Sequence, residues 1–120
     1  MSIDATVSAV IATIRAHQLP LCEESALHRV LADLLADAGL KVSCEHVLGP
    51  SERLDLMVEG GLAIECKLRG GRRNIYRQLQ RYARHDEVQA LLLVTNTAMG
   101  LPPEIDGKPV FYCGLGEAWL

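Results

Sequence analysis

Residues 53–70 read RLDLMVEGGLAIECKLRG. Two short apolar runs flank Gly60-Gly61, the pattern of a β-hairpin. Asp55, Glu65 and Lys67 sit inside those runs, although acids and lysine are poor strand formers. Side chains alternate across a strand. Leu54, Leu56 and Val58 therefore share one face, and Asp55 takes the other. Leu62, Ile64, Cys66 and Leu68 share one face, and Glu65 and Lys67 take the other. The two apolar faces coincide only if the turn is odd in length. A two-residue Gly60-Gly61 loop sets Asp55 opposite Cys66 and mixes the faces. A three-residue Glu59-Gly60-Gly61 loop sets Val58 opposite Leu62 and Asp55 opposite Glu65. The expectation is an odd-length loop or a bulge, with glycine in the left-handed position.

Two carboxylates placed opposite each other repel unless a cation lies between them. Magnesium suits such a pair, because it binds one or two carboxylates and keeps several waters. Lys67 points at the same spot, where an ammonium orients water and stabilises charge on a scissile phosphate. The alternative is a solvated face with Lys67 in a surface ion pair, which is worth little. From the hairpin alone both readings stay open.

Outward from the hairpin, apolar periodicity predicts a helix over 3–17, capped by Ser2 and stopped by Pro20. A second helix is predicted over 23–38, with Leu27, Leu31, Leu34 and Leu35 inward and Gly39 as its C-terminal cap. Strands are predicted over 40–48, 53–58 and 62–68. A third helix follows from about 71–74 to His85. QALLLVT (89–95) reads as a buried strand. NTAMGLPPEIDGKP reads as a loop, and 108–113 as a last strand. The order α-α-β-β-β-α-β-β predicts an α/β domain with a mixed central sheet.

The chain has 120 residues, of which 49% are hydrophobic and 22% charged, as in one globular domain. No apolar run is long enough to span a membrane and no secretory signal is visible, so the expected place is the cytoplasm, with no membrane partner. Cys22, Cys44, Cys66 and Cys113 form no C-x-x-C pair, and are expected to be reduced thiols, mostly buried. The formal net charge of −3 argues against wholesale nucleic-acid binding. The basic residues are nevertheless clustered. Lys67, Arg69, Arg72, Arg73, Arg77, Arg81 and Arg84 are 7 of the 12, with no acid between the first and the last. Such a patch binds phosphate even on an acidic protein.

Asp55 followed by Glu65-Cys66-Lys67 at the end of the next strand resembles the D…(D/E)-x-K signature of the PD-(D/E)XK nuclease superfamily. Leu54 stands where the family name has proline. That superfamily has a restriction-endonuclease-like αβββαβ core, and residues 23–95 supply its order. Residues 1–20 are then an additional N-terminal helix, and 96–120 a C-terminal loop and strand, within a single nuclease-like domain 1–120. The first core helix of the family often carries an acid of the metal site. Glu24, followed by Leu27, His28 and Leu31, resembles the E-x-x-L spacing of small resolvase-like and restriction-like members, and Glu23 remains the alternative. Gln78-Leu79-Gln80-Arg81-Tyr82 resembles the Q-x-x-x-Y motif of the branch that includes the RecB nuclease domain. Gln78 and Tyr82 share one helical face. Tyr82 packing on the sheet is the competing reading. Some members of that branch hold a four-cysteine iron–sulfur cluster. The cysteines here do not cluster that way, and none is expected.

The resemblance implies a magnesium-dependent DNA nuclease, endo- or exonuclease, with Mn2+ as a substitute ion. Asp55, Glu65, the main-chain carbonyl of Cys66 and Glu24 would hold the metal, and Lys67 would position the attacking water. Gln78 and Tyr82 would orient water or DNA. Arg69, Arg72, Arg73, Arg77 and Arg81 would hold the DNA backbone, although a charge run is often only a solvated face. Cutting both strands with so small a domain suggests a homodimer. The alternative function is a non-catalytic DNA-binding or assembly protein, such as a phage encodes, that keeps the nuclease fold.

Overall fold

Six consecutive buried residues, Ala90 to Thr95, have no exposed face between them, so the sheet they belong to is covered on both sides. The structure, a computed structural model, describes residues 1–115. Residues 116–120, the end of the expected C-terminal segment, lie outside the described residues. Three helices, α1 (Ile3–Ala16), α2 (Glu24–Asp37) and α3 (Arg72–Ala83), accompany the strands β1 (Val42–Gly49), β2 (Glu52–Val58), β3 (Leu62–Lys67), β4 (Ala90–Thr95), β5 (Glu104–Ile105) and β6 (Lys108–Gly114). The sheet order is β1-β2-β3-β4-β6-β5. β1, β2 and β3 form an antiparallel meander, while β3–β4 and β4–β6 are parallel. The protein is thus α/β with a mixed sheet. Among the described residues no helix is long and apolar enough to cross a membrane.

Alternation sorts the core into two clusters. Ala90, Leu92 and Val94 join Leu56, Val58, Leu62, Ile64 and Cys66 beneath α1 and α2. Leu91 and Leu93 join Met57 and Ala63 beneath Ile75, Leu79, Tyr82 and Ala83 of α3. Leu27, Leu31 and Leu35 of α2 are fully buried, each stabilising the fold by about 1.5–3 kcal/mol. The expected shared face of Leu54, Leu56 and Val58 does not extend to Leu54, which packs in the α3 cluster.

The helix ends follow local chemistry. Ser2 accepts a hydrogen bond from the Ala5 N–H at the start of α1. Gly39, with φ +92°, ends α2. There the Leu40 N–H reaches the Leu35 carbonyl and the Gly39 N–H reaches that of Ala36, the two bonds of a Schellman motif.

The hairpin has the odd turn. Val58 pairs with Leu62, Met57 with Ala63 and Leu56 with Ile64. Gly60 and Gly61 both have positive φ, +102° and +100°. Gly61 is required twice, because a Cβ there would lie 2.6 Å from Gln89 Cγ and 2.8 Å from the Glu87 carbonyl.

Two further expectations are corrected. The segment after β4 is not merely a loop, because Glu104–Ile105 pairs with Lys108 and Pro109 as a two-residue strand. The cysteines are not mostly buried either: Cys66 and Cys113 are, but Cys22 and Cys44 are exposed.

Candidate active site at the end of the hairpin

Both ladders around Asp55 open at that residue. β1 pairs with β2 at Cys44↔Leu56 and His46↔Leu54, with no pair at Glu45 between them. Glu45 itself has φ +47°, an uncommon conformation for a non-glycine residue. The β2–β3 ladder ends at Leu56↔Ile64, one residue short of Asp55. The expected Asp55–Glu65 juxtaposition is therefore made by side chains and not by a backbone rung. The freed Cys66 N–H donates instead to Asp55 Oδ2 at 2.9 Å. This satisfies a donor that a parted ladder would otherwise leave open.

The acid face is only partly solvated, with Asp55 and Lys67 half-buried. Glu65 is 1% exposed, covered by α3, and its carboxylate lies near that of Asp55. Burial and, secondarily, the Asp55 charge push the Glu65 carboxyl up to about 8. Lys67 Nζ, 3.3 Å from Glu65 Oε2, pulls in the other direction. Glu65 is thus short of positive charge even with the ammonium beside it.

Glu24 enters from the first turn of α2. Its Oε1 accepts from the Leu68 N–H (2.9 Å) and the Arg69 N–H (3.2 Å), while its Oε2 lies 3.9 Å from Lys67 Nζ. Lys67 thus stands between Glu65 and Glu24. Glu23 is the N-cap of α2, makes no capping bond through its side chain, and is exposed. Of the two candidate acids, only Glu24 reaches the lysine. Among the described residues no three His, Cys, Asp or Glu side chains are grouped to hold a metal ion. The grouping present is a carboxylate pair, and magnesium is commonly bound through one or two carboxylates with waters completing its shell.

From the other side, α3 supplies Gln78 and Tyr82. Gln78 Nε2 donates to the Tyr82 hydroxyl at 2.6 Å. The single hydroxyl proton has two acceptors in reach, the Arg53 carbonyl at 3.1 Å and Glu65 Oε1 at 3.4 Å. Burial, followed by the Glu65 charge, raises the Tyr82 phenol above its ordinary range. Tyr82 thus combines the two readings of its sequence position, since its ring lies in the α3 core and its hydroxyl in the site. Cys66 keeps its thiol in the opposite core, and burial pushes that thiol up.

The arginines divide. Arg69, Arg72, Arg73, Arg77 and Arg81 are all exposed. Arg72 Nε donates to the Ala98 carbonyl at 2.9 Å and holds the loop after β4 against α3. Arg81 Nε lies 3.6 Å from Glu52, which also meets His85 Nε2 at 2.6 Å. Arg69, Arg73 and Arg77 take part in no ion pair among the described residues.

Thr95 carried no signal in the sequence. It is fully buried, and its Oγ1 donates to the Lys67 carbonyl at 2.5 Å and accepts from the Thr97 N–H at 3.0 Å. It pins the end of β3 from which Lys67 projects. Only the parallel β3–β4 register, Lys67↔Thr95, brings the two together.

Compared with protein-family models, curated proteins and solved structures, the chain matches none.

Proposed function

We propose that this chain is a magnesium-dependent DNA nuclease with the αβββαβ core of the PD-(D/E)XK superfamily. The observation that carries the proposal is the convergence of Asp55, Glu65 and Lys67 at the opened end of the hairpin, between Glu24 of α2 and Tyr82 of α3. A buried glutamate beside a half-buried aspartate and a lysine is a costly arrangement for a purely structural role, and hydrolysis of a phosphodiester bond makes use of each member.

Asp55 and Glu65 would hold the ion, with the Cys66 carbonyl, and Glu24 would support it directly or through water. When bound, Mg2+ supplies Lewis-acid charge on phosphate oxygen and lowers the pKa of water, and Mn2+ can do the same. Lys67, fixed by Glu65 and Glu24, presents its ammonium to the attacking water and to the charge that develops on the phosphate. Gln78 orients the Tyr82 hydroxyl, which in turn holds the Glu65 carboxylate in place. Arg69, Arg73 and Arg77 are available for the DNA backbone, and Arg72 and Arg81 adjoin them. A homodimer would let two such sites address both strands.

A second reading is a non-catalytic DNA-binding or assembly module. It draws on Glu24, whose carboxylate is already engaged by two backbone N–H groups and Lys67. Incubation with linear duplex, single-stranded and branched DNA, in Mg2+ and in EDTA, separates the two readings. The nuclease reading expects cleavage in Mg2+ only, leaving 5′-phosphate ends. Binding without cleavage across the whole panel would favour the module.

A further inference from the structure

The α2 side of the site holds a feature that the proposed chemistry leaves unused. A cavity of about 400 Å3 lies against Glu24, lined also by Cys22, Glu23, Ser25, Leu68 and Arg69. A second, of about 300 Å3, lies between α2 and β1, lined by Ser25, His28, Arg29, Cys44 and Glu45. Ser25 borders both, so the two are neighbours along one groove that begins at Glu24, Leu68 and Arg69. Glu24 and His28 are four residues apart and share a side of α2.

The donors in this groove are available. His28 Nδ1 is buried and, among the described residues, has no hydrogen-bond partner. A buried N–H without an acceptor is the costlier arrangement. With a ring proton on Nε2, that nitrogen is the donor that His28 can offer. Arg29 is exposed and takes part in no ion pair among the described residues. Ser25 adds a hydroxyl. The left-handed backbone of Glu45 is the kind of strain that collects at ligand sites. The acids of the groove are Glu23, Glu24 and Glu45. Glu24 is held by the Leu68 and Arg69 N–H groups, which leaves Glu23 and Glu45 as acceptors for base N–H donors.

We infer that this groove is a second track for the DNA backbone, in which Ser25, His28 and Arg29 bind a phosphate on the α2 side of the cleaved one. The inference rests on the nuclease reading for its choice of polymer. α2 and α3 cover opposite faces of the sheet, so this track and the arginines of α3 flank Lys67 from two sides. DNA would cross the end of β3 and would not run along α3 alone.

Binding in EDTA isolates this claim from cleavage. Anisotropy of fluorescein-labelled single-stranded and duplex oligonucleotides, measured across a salt series, gives the slope of log K against log salt. Removing one cation that neutralises a phosphate lowers that slope by roughly 0.7–0.9. Arg29→Ala and Arg77→Ala are each expected to lower it by about that amount, and the double variant by their sum. His28→Leu is expected to weaken binding several-fold, while Arg15→Ala, on the exposed side of α1, leaves both quantities unchanged. A slope and affinity unaltered by Arg29→Ala, with Arg77→Ala still lowering them, would overturn the α2 track and leave the nuclease reading standing. No binding of either DNA by the wild type, even at low salt, would overturn both.

Discussion

Glu65 concentrates the energetics of the site. It is 1% exposed, lies near Asp55 and, among the described residues, has only the Lys67 ammonium as an ion-pair partner. Its folded-state pKa of about 8 lies above the ordinary 4.5. The folded protein therefore holds a proton there that the unfolded chain has released. The corresponding stability is complete below about pH 4.5 and is lost as pH rises through about 8, at roughly 1.4 kcal/mol for each pH unit between those limits. The groups facing this carboxyl are Asp55 and Lys67 from the sheet and Tyr82 from α3, with Glu24 beyond the lysine. Glu65→Gln keeps the shape and removes the ionisation. In EDTA at pH 8 the variant should be more stable than wild type by one to a few kcal/mol, and near pH 4.5 the two should converge. Urea unfolding at the two pH values checks this, and equal stability at pH 8 would show that the wild-type site already holds its charge without strain. Magnesium should then stabilise the wild type, because it binds the folded state only, and should stabilise Glu65→Gln far less.

The hairpin does two things as an element: it sets the register of the sheet and it opens where Asp55 needs room. Its register was legible in the sequence, because period-two alternation and Gly60-Gly61 admit only an odd loop if Val58 is to meet Leu62. Its opening was not legible. The missing rungs at Glu45 and Asp55 depend on a left-handed Glu45, and nothing in CEHV marks that position. β5 was hidden for a different reason, since two residues are too few to show a period. The choice between Glu23 and Glu24 depended on which residue begins the helix, and helical angles alone left the two equal. Thr95 became visible only through a parallel register. Gly61 tests the turn. Gly60→Ala meets no neighbour and carries only the penalty of its positive φ, about 1–2 kcal/mol. Gly61→Ala carries the same penalty and a Cβ 2.8 Å from the Glu87 carbonyl. It should cost about 1–3 kcal/mol more, as read by urea denaturation. Equal costs would mean that the loop before β4 yields easily.

At the scale of the whole molecule, an acidic chain carries a run of basic residues that begins at the end of β3 and continues along α3. β3 ends at Lys67, with α2 arriving on one side and α3 leaving on the other. The edges of the sheet are blunted, β1 by an irregularity between Val47 and Gly49 and by the Glu45 kink, and the other edge by the brevity of β5. Strand-to-strand extension is therefore discouraged, and a homodimer would use helix or loop surfaces. Lys67 joins the two acidic arms, and the proposed chemistry depends on it most. The direct measurement is the single-turnover rate of DNA cleavage in Mg2+ by the wild type and by Lys67→Ala, on whichever DNA of the panel is cut fastest. Cleavage should be abolished by EDTA and slowed by about 10²-fold or more in the variant, with DNA affinity in EDTA falling far less. Absence of cleavage by the wild type on every DNA, or a variant that cuts as fast as the wild type, would contradict the proposed chemistry.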